Sequence, residues 1–361
     1  MIPVTKPFVP PIEEYNELVK GIFEREWFTN HGPLVLELED KLKKRLELPY
    51  LWYLNNGTIA IQIAIKALEL NGEVITTPFS YVATTSSLVW ENCTPVFADI
   101  DPNTLTIDPQ CVEALITDKT TGILATHVYG IPCAVDELEA IAKKHNLKII
   151  YDAAHAFGVT YKGKSLFEYG DISTTSFHAT KLFHTAEGGA VITTNKELAD
   201  KMALLRNFGH TSPTSFNGAG INGKSSEFHA AMGLTVLNHI DNIIAKLKQI
   251  FSWYDEKLSG LPIRKPVIPE GTNYNYAYYA VILESEEALL NTIKMLNDND
   301  IIPRRYFFPS LNKLDYLTEK YSCPVSESIS TRVLCLPLYY QLTEEEVNKV
   351  VKILSQTVIY A

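Results

Sequence analysis

Residues 136–155 read DELEAIAKKHNLKIIYDAAH, a stretch in which one periodicity gives way to another. Apolar residues recur at helical spacing over residues 136–145, which predicts an amphipathic helix with one apolar face. The run over residues 147–151, which is apolar except for Lys148, predicts a strand that is buried on both faces. A helix that leads directly into such a strand is typical of an α/β fold built on a mostly parallel sheet.

The same alternation of helical patterns and short apolar runs extends over residues 50–195. It predicts a helix at 59–70 and strands at 74–77, 95–99 and 123–126. In parallel sheets, ligands bind beyond the carboxyl ends of the strands. We therefore expect the chemistry to reside in polar residues that directly follow the apolar runs.

The C-terminal part of the chain has a different pattern. Residues 207–224 are rich in Gly, Ser, Asn and Thr and predict a long loop, whereas residues 227–258 return to helical periodicity. Further predicted elements are a strand at 276–283, a helix at 286–297 and a closing helix from Thr343, which begins with a capping box. We expect a large domain over residues 1–240, with an N-terminal arm, and a smaller C-terminal α+β domain over residues 241–361.

Composition argues against several classes of protein. The 361 residues carry 32 Lys plus Arg against 42 Asp plus Glu, a net charge of −10. A nucleic-acid binder would be expected to carry a clustered basic excess, whereas this chain carries an acidic excess. The hydrophobic fraction of 46% and the charged fraction of 20% are those of an ordinary globular protein rather than a disordered one.

Location and metal content follow from other signals. The opening MIPVTKP lacks the basic and apolar regions of a signal peptide, and the uncharged stretch 74–90 is a poor membrane span because it contains Pro78 and many hydroxyl residues. The 5 cysteines are an odd number without a C-x-x-C motif, and the 9 histidines show no metal-ligand spacing. We expect a cytoplasmic protein with reduced cysteines, no membrane contact and no metal.

Three short motifs carry the candidate chemistry, and the first is Asn55-Asn56-Gly57-Thr58. A glycine and a hydroxyl at the start of a helix let backbone N–H groups converge on an anion, assisted by the helix dipole. One interpretation is therefore a phosphate site. The other is an ordinary helix N-cap, because Asn, Gly and Thr are cap residues in any case.

The second motif lies at the end of the predicted strand over 147–151, where Asp152 follows directly and His155 comes shortly after. A carboxylate at the carboxyl edge of a sheet can hold a positively charged nitrogen of a ligand. The alternative is an N-cap aspartate beside a hydrogen-bonded histidine of the core.

The third motif is Lys181 in the segment SFHATK, which is followed by EGG at 187–189. No acidic residue lies between Ile172 and Ala186, and hydroxyls and two histidines surround the lysine. A lysine in such surroundings can have a lowered pKa and form a Schiff base with a carbonyl. The alternative is a lysine that extends from a strand end toward solvent.

Together the motifs provide the groups that a pyridoxal 5′-phosphate (PLP) site requires. These groups are an anchor for the phosphate, a carboxylate for the ring nitrogen and an amine for the aldehyde. The joint pattern is more specific than any one motif, so the sequence predicts PLP as the cofactor.

Seven motifs in order carry a resemblance to a known family, and they are WFTNHGP (27–33), NGT (56–58), TPFSYVAT (77–84), DAAHA (152–156), SFHATK (176–181), EGG (187–189) and SEFHAA (226–231). Over nearly its whole length the chain resembles the DegT/DnrJ/EryC1/StrS sugar-nucleotide aminotransferases. The resemblance implies an aspartate aminotransferase-like fold of fold type I, with a mostly parallel central sheet flanked by helices. The sequence over residues 176–187 is most similar to that of members that aminate the 4-keto group of dTDP-4-keto-6-deoxy-D-glucose.

Carried over by position, the resemblance implies roles for individual residues. Lys181 would form the Schiff base, and Asp152 would pair with the ring nitrogen. The other cofactor contacts would be Tyr81 on the ring face, His155 on the hydroxyl side, and Gly57, Thr58 and Ser176 at the phosphate. Asn222 would reach the phosphate of the neighbouring subunit's cofactor, which implies a homodimer with shared active sites. Many members have an aromatic residue and Arg where this chain has Gly223 and Lys224, so this loop departs from the commoner pattern.

The resemblance also implies a reaction. L-Glutamate would donate an amino group to the 4-keto carbon of a nucleotide-linked 4-keto-6-deoxyhexose, giving dTDP-4-amino-4,6-dideoxy-D-glucose for a cell-surface glycan or an antibiotic. Arg304 and Tyr306 are candidate contacts to the nucleotide sugar, because Arg offers a bidentate fork for pyrophosphate. The alternative is a surface arginine pair beside a core tyrosine.

Other functions stay open at this point. They are amination at a 3-keto carbon, amination of a UDP- or GDP-linked sugar, a sugar dehydratase and a catalytically silent regulator on the same fold. Deoxygenating relatives carry His in place of the lysine, so the presence of Lys181 favours a transaminase.

Overall fold

The computed structural model describes residues 1–317 and 319–359. In chain order, the α-helices of this part are α1 Ile12–Arg25, α2 Pro33–Leu46, α3 Gly57–Ala67, α4 Val82–Trp90, α5 Pro109–Ala114, α6 Val135–His145, α7 Lys196–Leu205, α8 Glu227–Asn238, α9 Ile240–Lys257, α10 Glu286–Asn297, α11 Pro324–Arg332 and α12 Glu344–Ile359. The strands are β1 Ile2–Pro3, β2 Tyr50–Leu54, β3 Gly72–Thr76, β4 Cys93–Phe97, β5 Thr120–Thr126, β6 Lys148–Asp152, β7 Thr160–Tyr161, β8 Lys164–Ser165, β9 Ile172–Ser176, β10 Gly189–Thr193, β11 His210–Ser212, β12 Ser215–Phe216, β13 Thr272–Asn273, β14 Tyr279–Ile282, β15 Ile301–Ile302 and β16 Val333–Leu336. None of these helices is long and apolar enough to cross a membrane.

A seven-stranded sheet in the order β2-β10-β9-β6-β5-β3-β4 forms the centre of the fold. The strands from β9 to β4 are parallel to their neighbours, and β10 runs antiparallel to both β2 and β9. The expectation of a mostly parallel sheet is confirmed. The predicted strands at 74–77, 95–99 and 123–126 correspond to β3, β4 and β5.

Alternate side chains of the central strands pack against helices on opposite faces of the sheet. Leu124 and its cross-strand partner Ile150 belong to the apolar cluster that contains α3. Ile123 and its partner Ile149 belong to the cluster that contains α6. Burying each of these side chains is worth roughly 1.5–3 kcal/mol, so a strand covered on both faces needs a continuous apolar run.

The parallel register brings the polar strand ends to one edge of the sheet. Thr126 at the end of β5 pairs with Asp152 at the end of β6, and Asp152 pairs in turn with Thr174 of β9. The antiparallel strand β10 begins at this edge with Gly189, where a Cβ atom would lie 2.5 Å from the carbonyl carbon of Asn56. Glycine is therefore required for the close approach of β10 to the start of α3.

Two predictions about elements C-terminal to β10 are confirmed in outline, and the structure adds detail to both. The helical pattern over 227–258 forms two helices, because the chain turns at His239, whose N–H donates to the carbonyl of Val236 (3.0 Å) and whose ring contacts Glu14 (3.0 Å). The predicted loop over 207–224 contains a short antiparallel hairpin of β11 and β12. Local periodicity does not predict these features. The turn at His239 involves a contact with Glu14 of α1, and the hairpin depends on the pairing of β11 with β12.

A small two-stranded sheet near the C-terminus lines a cavity at the edge where the parallel strands end. Strands β14 and β16 pair antiparallel, and helices α10 and α12 pack together beside them. The backbone of Arg304 bonds to Cys335 of β16, with Cys335 N–H donating to the Arg304 carbonyl at 2.8 Å. This bridge fixes the position of the segment that follows Arg304.

A buried ion pair connects α2 with α7. Arg206, 4% exposed, contacts the carboxylate of Glu39, 2% exposed, and also donates to the carbonyl of Tyr53 at 3.1 Å. The same Glu39 carboxylate accepts from the N–H of Tyr53 at 2.9 Å. The pair therefore ties both helices to β2.

We expect Arg206→Met to lower the free energy of unfolding by about 3–5 kcal/mol, because Glu39 would remain buried without its partner. Urea unfolding followed by circular dichroism measures the loss. The matched control is Glu39→Gln combined with Arg206→Met, which removes the charge but keeps an oxygen for the N–H of Tyr53. This double variant should recover most of the loss; equal instability of the two variants would contradict the explanation.

Candidate active site

A cavity of about 300 Å³ lies at the edge of the sheet where the parallel strands end. It brings together nine of the ten predicted site residues, namely Gly57, Thr58, Tyr81, Asp152, His155, Ser176, Lys181, Arg304 and Tyr306. The tenth, Asn222, does not line the cavity of its own chain and is exposed on the loop that precedes α8.

One end of the cavity is formed by the start of α3. The side chain of Asn56 caps the helix by accepting from the N–H of Ile59 at 2.8 Å. The N–H groups of Gly57 and Thr58 have no carbonyl partner within the helix, since they belong to its first turn. A Cβ atom on residue 57 would lie 2.9 Å from Cβ of Ser176, so the glycine keeps open a cradle that suits an anion.

Asp152 occupies the centre of the strand edge and is 6% exposed. Its carboxylate accepts from the hydroxyl of Thr84 (2.7 Å) and from the N–H of Ala154 (3.2 Å). Burial raises the pKa of Asp152, while these two hydrogen bonds and the charge of Lys181 oppose the rise. A cationic ring nitrogen at this carboxylate would be stabilised strongly, because little water is present to screen it.

Lys181 lies in a loop between β9 and β10 that backbone hydrogen bonds hold closed. The Lys181 N–H donates to the carbonyl of His178 (2.9 Å), and Ala179 N–H donates to that of Ala186 (2.8 Å). Burial lowers the pKa of Lys181 to about 8, and the charge of Asp152 counteracts this effect. Near neutral pH a useful fraction of the amine is therefore unprotonated and nucleophilic.

His155 is held as a neutral donor. Its Nδ1 accepts from the N–H of Tyr129 (3.0 Å), and its ring stacks on Phe307 with centroids 5.7 Å apart. Burial lowers the pKa of His155 well below its usual value. A neutral imidazole that accepts at Nδ1 carries its proton on Nε2, so His155 can donate a hydrogen bond to an oxygen of a ligand.

Tyr81 precedes α4 and is 57% exposed at the rim of the cavity. The first turn of this helix carries Thr84, the hydroxyl donor to Asp152, which sequence reasoning did not identify as a site residue. The spacing of Tyr81 and Thr84 places them on one helix face, and this was the available signal.

The two neighbouring arginines have different environments. Arg304 is exposed, lines the cavity and lies over the ring of Tyr306, with 5.2 Å from its guanidinium carbon to the ring centroid. Arg305 turns away, donating to Glu286 (3.1 Å) and to the carbonyl of Ser330 (3.3 Å). Of this pair, Arg304 alone is placed to meet a ligand in the cavity.

Sequence reasoning missed other residues that line the cavity. Thr5 belongs to the N-terminal segment. A hydrogen bond from the Leu338 N–H to the carbonyl of Val4 (2.9 Å) holds this segment in place. Tyr278 comes from the segment before β14, and its hydroxyl lies 3.3 Å from the amine of Lys181. Neither residue stands in a recognisable motif, so only the packing of distant segments identifies them.

The residues present fit PLP. The anion cradle at Gly57, the carboxylate of Asp152 and the amine of Lys181 face one cavity, as a phosphate, a pyridine nitrogen and an aldehyde on a single molecule would require.

Comparison with known proteins agrees with this geometry. The sequence model of the DegT/DnrJ/EryC1/StrS aminotransferase family matches residues 11–355 of this chain. The chain is 42% identical to the dTDP-4-amino-4,6-dideoxy-D-glucose transaminase of Shigella dysenteriae, covering 96% of each chain, and 38% identical to that of Escherichia coli, covering 98% of each. It is 30% identical to the GDP-perosamine synthase of Vibrio cholerae, covering 97% of each chain.

Solved structures give the same result at the level of the fold. The structure of DesI in the presence of its TDP-sugar product has a TM-score of 0.94 at 31% identity, covering 99% of this chain and 93% of that one. The PLP form of Spr1654 from Streptococcus pneumoniae has a TM-score of 0.92 at 26% identity, covering 99% of each chain.

Proposed function

Because the chain belongs to the DegT/DnrJ/EryC1/StrS aminotransferase family and is a PLP-dependent aminotransferase, we propose that it aminates the 4-keto carbon of dTDP-4-keto-6-deoxy-D-glucose. The amino donor in this proposal is L-glutamate, and the product is dTDP-4-amino-4,6-dideoxy-D-glucose. The observation that supports this substrate is the identity of 42% and 38%, over nearly the whole chain, to two transaminases named for this product.

The experiment is incubation of the holoenzyme with L-glutamate and a panel of dTDP-, UDP- and GDP-linked keto sugars. Mass spectrometry detects the amine, and NMR assigns the carbon that bears it. We expect preferential amination of the dTDP sugar at carbon 4. Amination of a GDP sugar alone, or at carbon 3, would overturn the proposed substrate and leave the family assignment intact.

In this proposal the residues that line the cavity have the following roles. Bound PLP supplies an aldehyde that can carry an amino group and a ring that withdraws electrons. In the first half-reaction Lys181 would move a proton from the α-carbon of the amino donor to the aldehyde carbon of PLP, and in the second it would deliver a proton to the keto carbon of the sugar. Asp152 holds the proton on the ring nitrogen, because a nearby carboxylate favours the charged form.

The remaining contacts orient the cofactor in this proposal. The backbone of Gly57 and the hydroxyls of Thr58 and Ser176 bind the phosphate at the cradle. His155 donates from Nε2 to the ring hydroxyl side, and Tyr81 covers one face of the ring. All five residues line the cavity that contains Lys181.

Arg304 and Tyr306 are proposed to bind the nucleotide sugar. Arg304→Ala is expected to raise the KM for the nucleotide sugar by about tenfold or more, because a charge-assisted contact to the pyrophosphate is lost. Steady-state kinetics with varied sugar and saturating glutamate measures this effect. The control is Arg264→Ala, which removes an exposed arginine that does not line the cavity. Equal KM values for the two variants would remove Arg304 from the substrate site.

We further propose a homodimer with shared sites. Asn222 lies outside the cavity of its own chain, as a residue that serves a second chain would. An exposed aromatic group supports an interface, since Phe28, 42% exposed, stacks on Phe228 and contacts Phe23, 59% exposed. Light scattering of the purified protein should give twice the mass of one chain; a monomer with full activity would contradict shared sites.

Three further expectations remain proposals. The division into residues 1–240 and 241–361 is supported by the turn at His239, between α8 and α9. A cytoplasmic location is supported by the cysteines, all five of which are free. An amino sugar of this type would serve an O-antigen, a lipopolysaccharide or another cell-surface glycan.

A further inference from the structure

Tyr278 lies beside the amine of Lys181 although it belongs to a distant part of the chain. Its hydroxyl is 3.3 Å from Nζ of Lys181, and the two residues are 97 positions apart. Nζ lies 6.0 Å from the centroid of the tyrosine ring, so the amine meets the hydroxyl end of the side chain rather than the ring face.

Aromatic neighbours fix the ring of Tyr278. Its centroid is 4.6 Å from that of His155, 5.7 Å from that of Tyr129 and 6.1 Å from that of Tyr306. Burial raises the pKa of Tyr278 well above its usual value, so the phenol keeps its proton. A neutral, fixed phenol can accept a hydrogen bond from an ammonium group and donate one to a free amine.

A second, smaller cavity of about 20 Å³ adjoins Lys181 on the same side. Its walls include Ser176, Thr180, Lys181 and Tyr278. This volume is enough for one water, and the hydroxyl residues of the wall offer the polar partners that a buried water needs. The amine of Lys181 thus has a fixed hydroxyl and room for one water on the side of Tyr278.

We propose that Tyr278 is a positioning residue, whose hydroxyl holds the amine of Lys181 whenever that amine is not bonded to another group. This inference rests on the proposed catalytic role of Lys181. In each half-reaction the lysine must be free to move a proton, and a free lysine side chain has many rotamers. A misplacement of the reactive group by about 1 Å can cost on the order of 10²-fold in rate.

The hydroxyl contact has a defined consequence for the titration of Lys181. A hydrogen bond that involves an ionised group is stronger than a neutral one, so the phenol oxygen stabilises the ammonium form more than the amine form. Loss of the hydroxyl should therefore lower the pKa of the lysine. Asp152 is the acidic group whose charge acts on Lys181, and His155 is the neighbouring imidazole. Glu187 and His178 line the same cavity, and Tyr278→Phe leaves all four groups in place.

The test is the rate at which an amine-reactive reagent modifies Lys181 in the apoenzyme, followed over neutral and alkaline pH by peptide mass spectrometry. For Tyr278→Phe we expect the midpoint to move to lower pH by roughly 0.5–1 unit. In the holoenzyme, kcat should fall about tenfold while both KM values change less than about twofold, since the ring is retained.

The control is Tyr274→Phe, which removes a buried hydroxyl that donates to the Tyr129 carbonyl at 2.7 Å. It should lower thermal stability without moving the midpoint of the modification rate. An unchanged midpoint in Tyr278→Phe, or one moved to higher pH, would overturn the proposal whatever the activity. A midpoint moved to lower pH in an enzyme that aminates no sugar would instead overturn the proposed function alone.

Discussion

Lys181→Ala is expected to lower the rate of transamination by about 10³-fold or more. The variant would lose both the amine that bonds the aldehyde and the base that moves the proton, and each function contributes several orders of magnitude. The cavity should still bind PLP through Gly57 and Asp152, so the loss should appear in kcat. Single-turnover formation of the amino sugar measures the rate, and absorbance after dialysis reports whether the cofactor is still attached covalently.

The matched control is Lys164→Ala, which removes an exposed lysine of β8 that does not line the cavity. This variant should retain wild-type activity and colour. If Lys181→Ala kept more than a tenth of the wild-type rate, the proposed role of Lys181 would be wrong.

Lys181→Ala also tests whether the active sites are shared between subunits. A hybrid dimer of Lys181→Ala with Asn222→Ala contains one intact site, because the first chain supplies Asn222 to the site in which the second supplies Lys181. Mixing the variants under conditions that exchange subunits should therefore raise activity above that of either one alone. If Asn222 served its own chain, neither site of the hybrid would be intact and activity would not rise.

Asp152→Asn is expected to lower kcat by about 10²–10³-fold, because the amide cannot hold a charge on the ring nitrogen. The shape of the side chain is retained, and an amide oxygen can still accept from Thr84. The measurement is the single-turnover rate with glutamate, which reports proton removal from the donor. A fall of less than about fivefold would contradict the role of Asp152.

The stability of the apo variant Asp152→Asn should not fall with its activity. Burial raises the pKa of Asp152 above its unfolded value, so between these two pKa values the folded apoenzyme binds more protons than the unfolded chain. The carboxylate therefore costs stability as the pH rises through this range, and the neutral amide should avoid that cost. The unfolding midpoint of the apo variant at neutral pH should be no lower than that of the wild type.

Local sequence was sufficient for four of the seven strands of the central sheet, whereas β2, β9 and β10 were not predicted. The runs that became β3, β4, β5 and β6 are apolar because helices cover both faces of the sheet, so burial alone predicts them. Asp152 could be found because it directly follows an apolar run, and Lys181 because no acidic residue lies between Ile172 and Ala186. The order of the strands and the turn at His239 were not predictable in this way, since they depend on contacts with other elements.

The amino-acid sequence by itself determined that this protein has an α/β sheet, and it indicated three candidate groups near the sheet edge: the helix start at Gly57, the carboxylate of Asp152 and the amine of Lys181. Tertiary structure alone decided which groups set the properties of those residues. Thr84 meets Asp152 across 68 positions, and Tyr278 meets Lys181 across 97. Helical and strand periodicity record only which face of an element is buried, whereas hydrogen bonds and pKa values depend on which distant segments pack against that face.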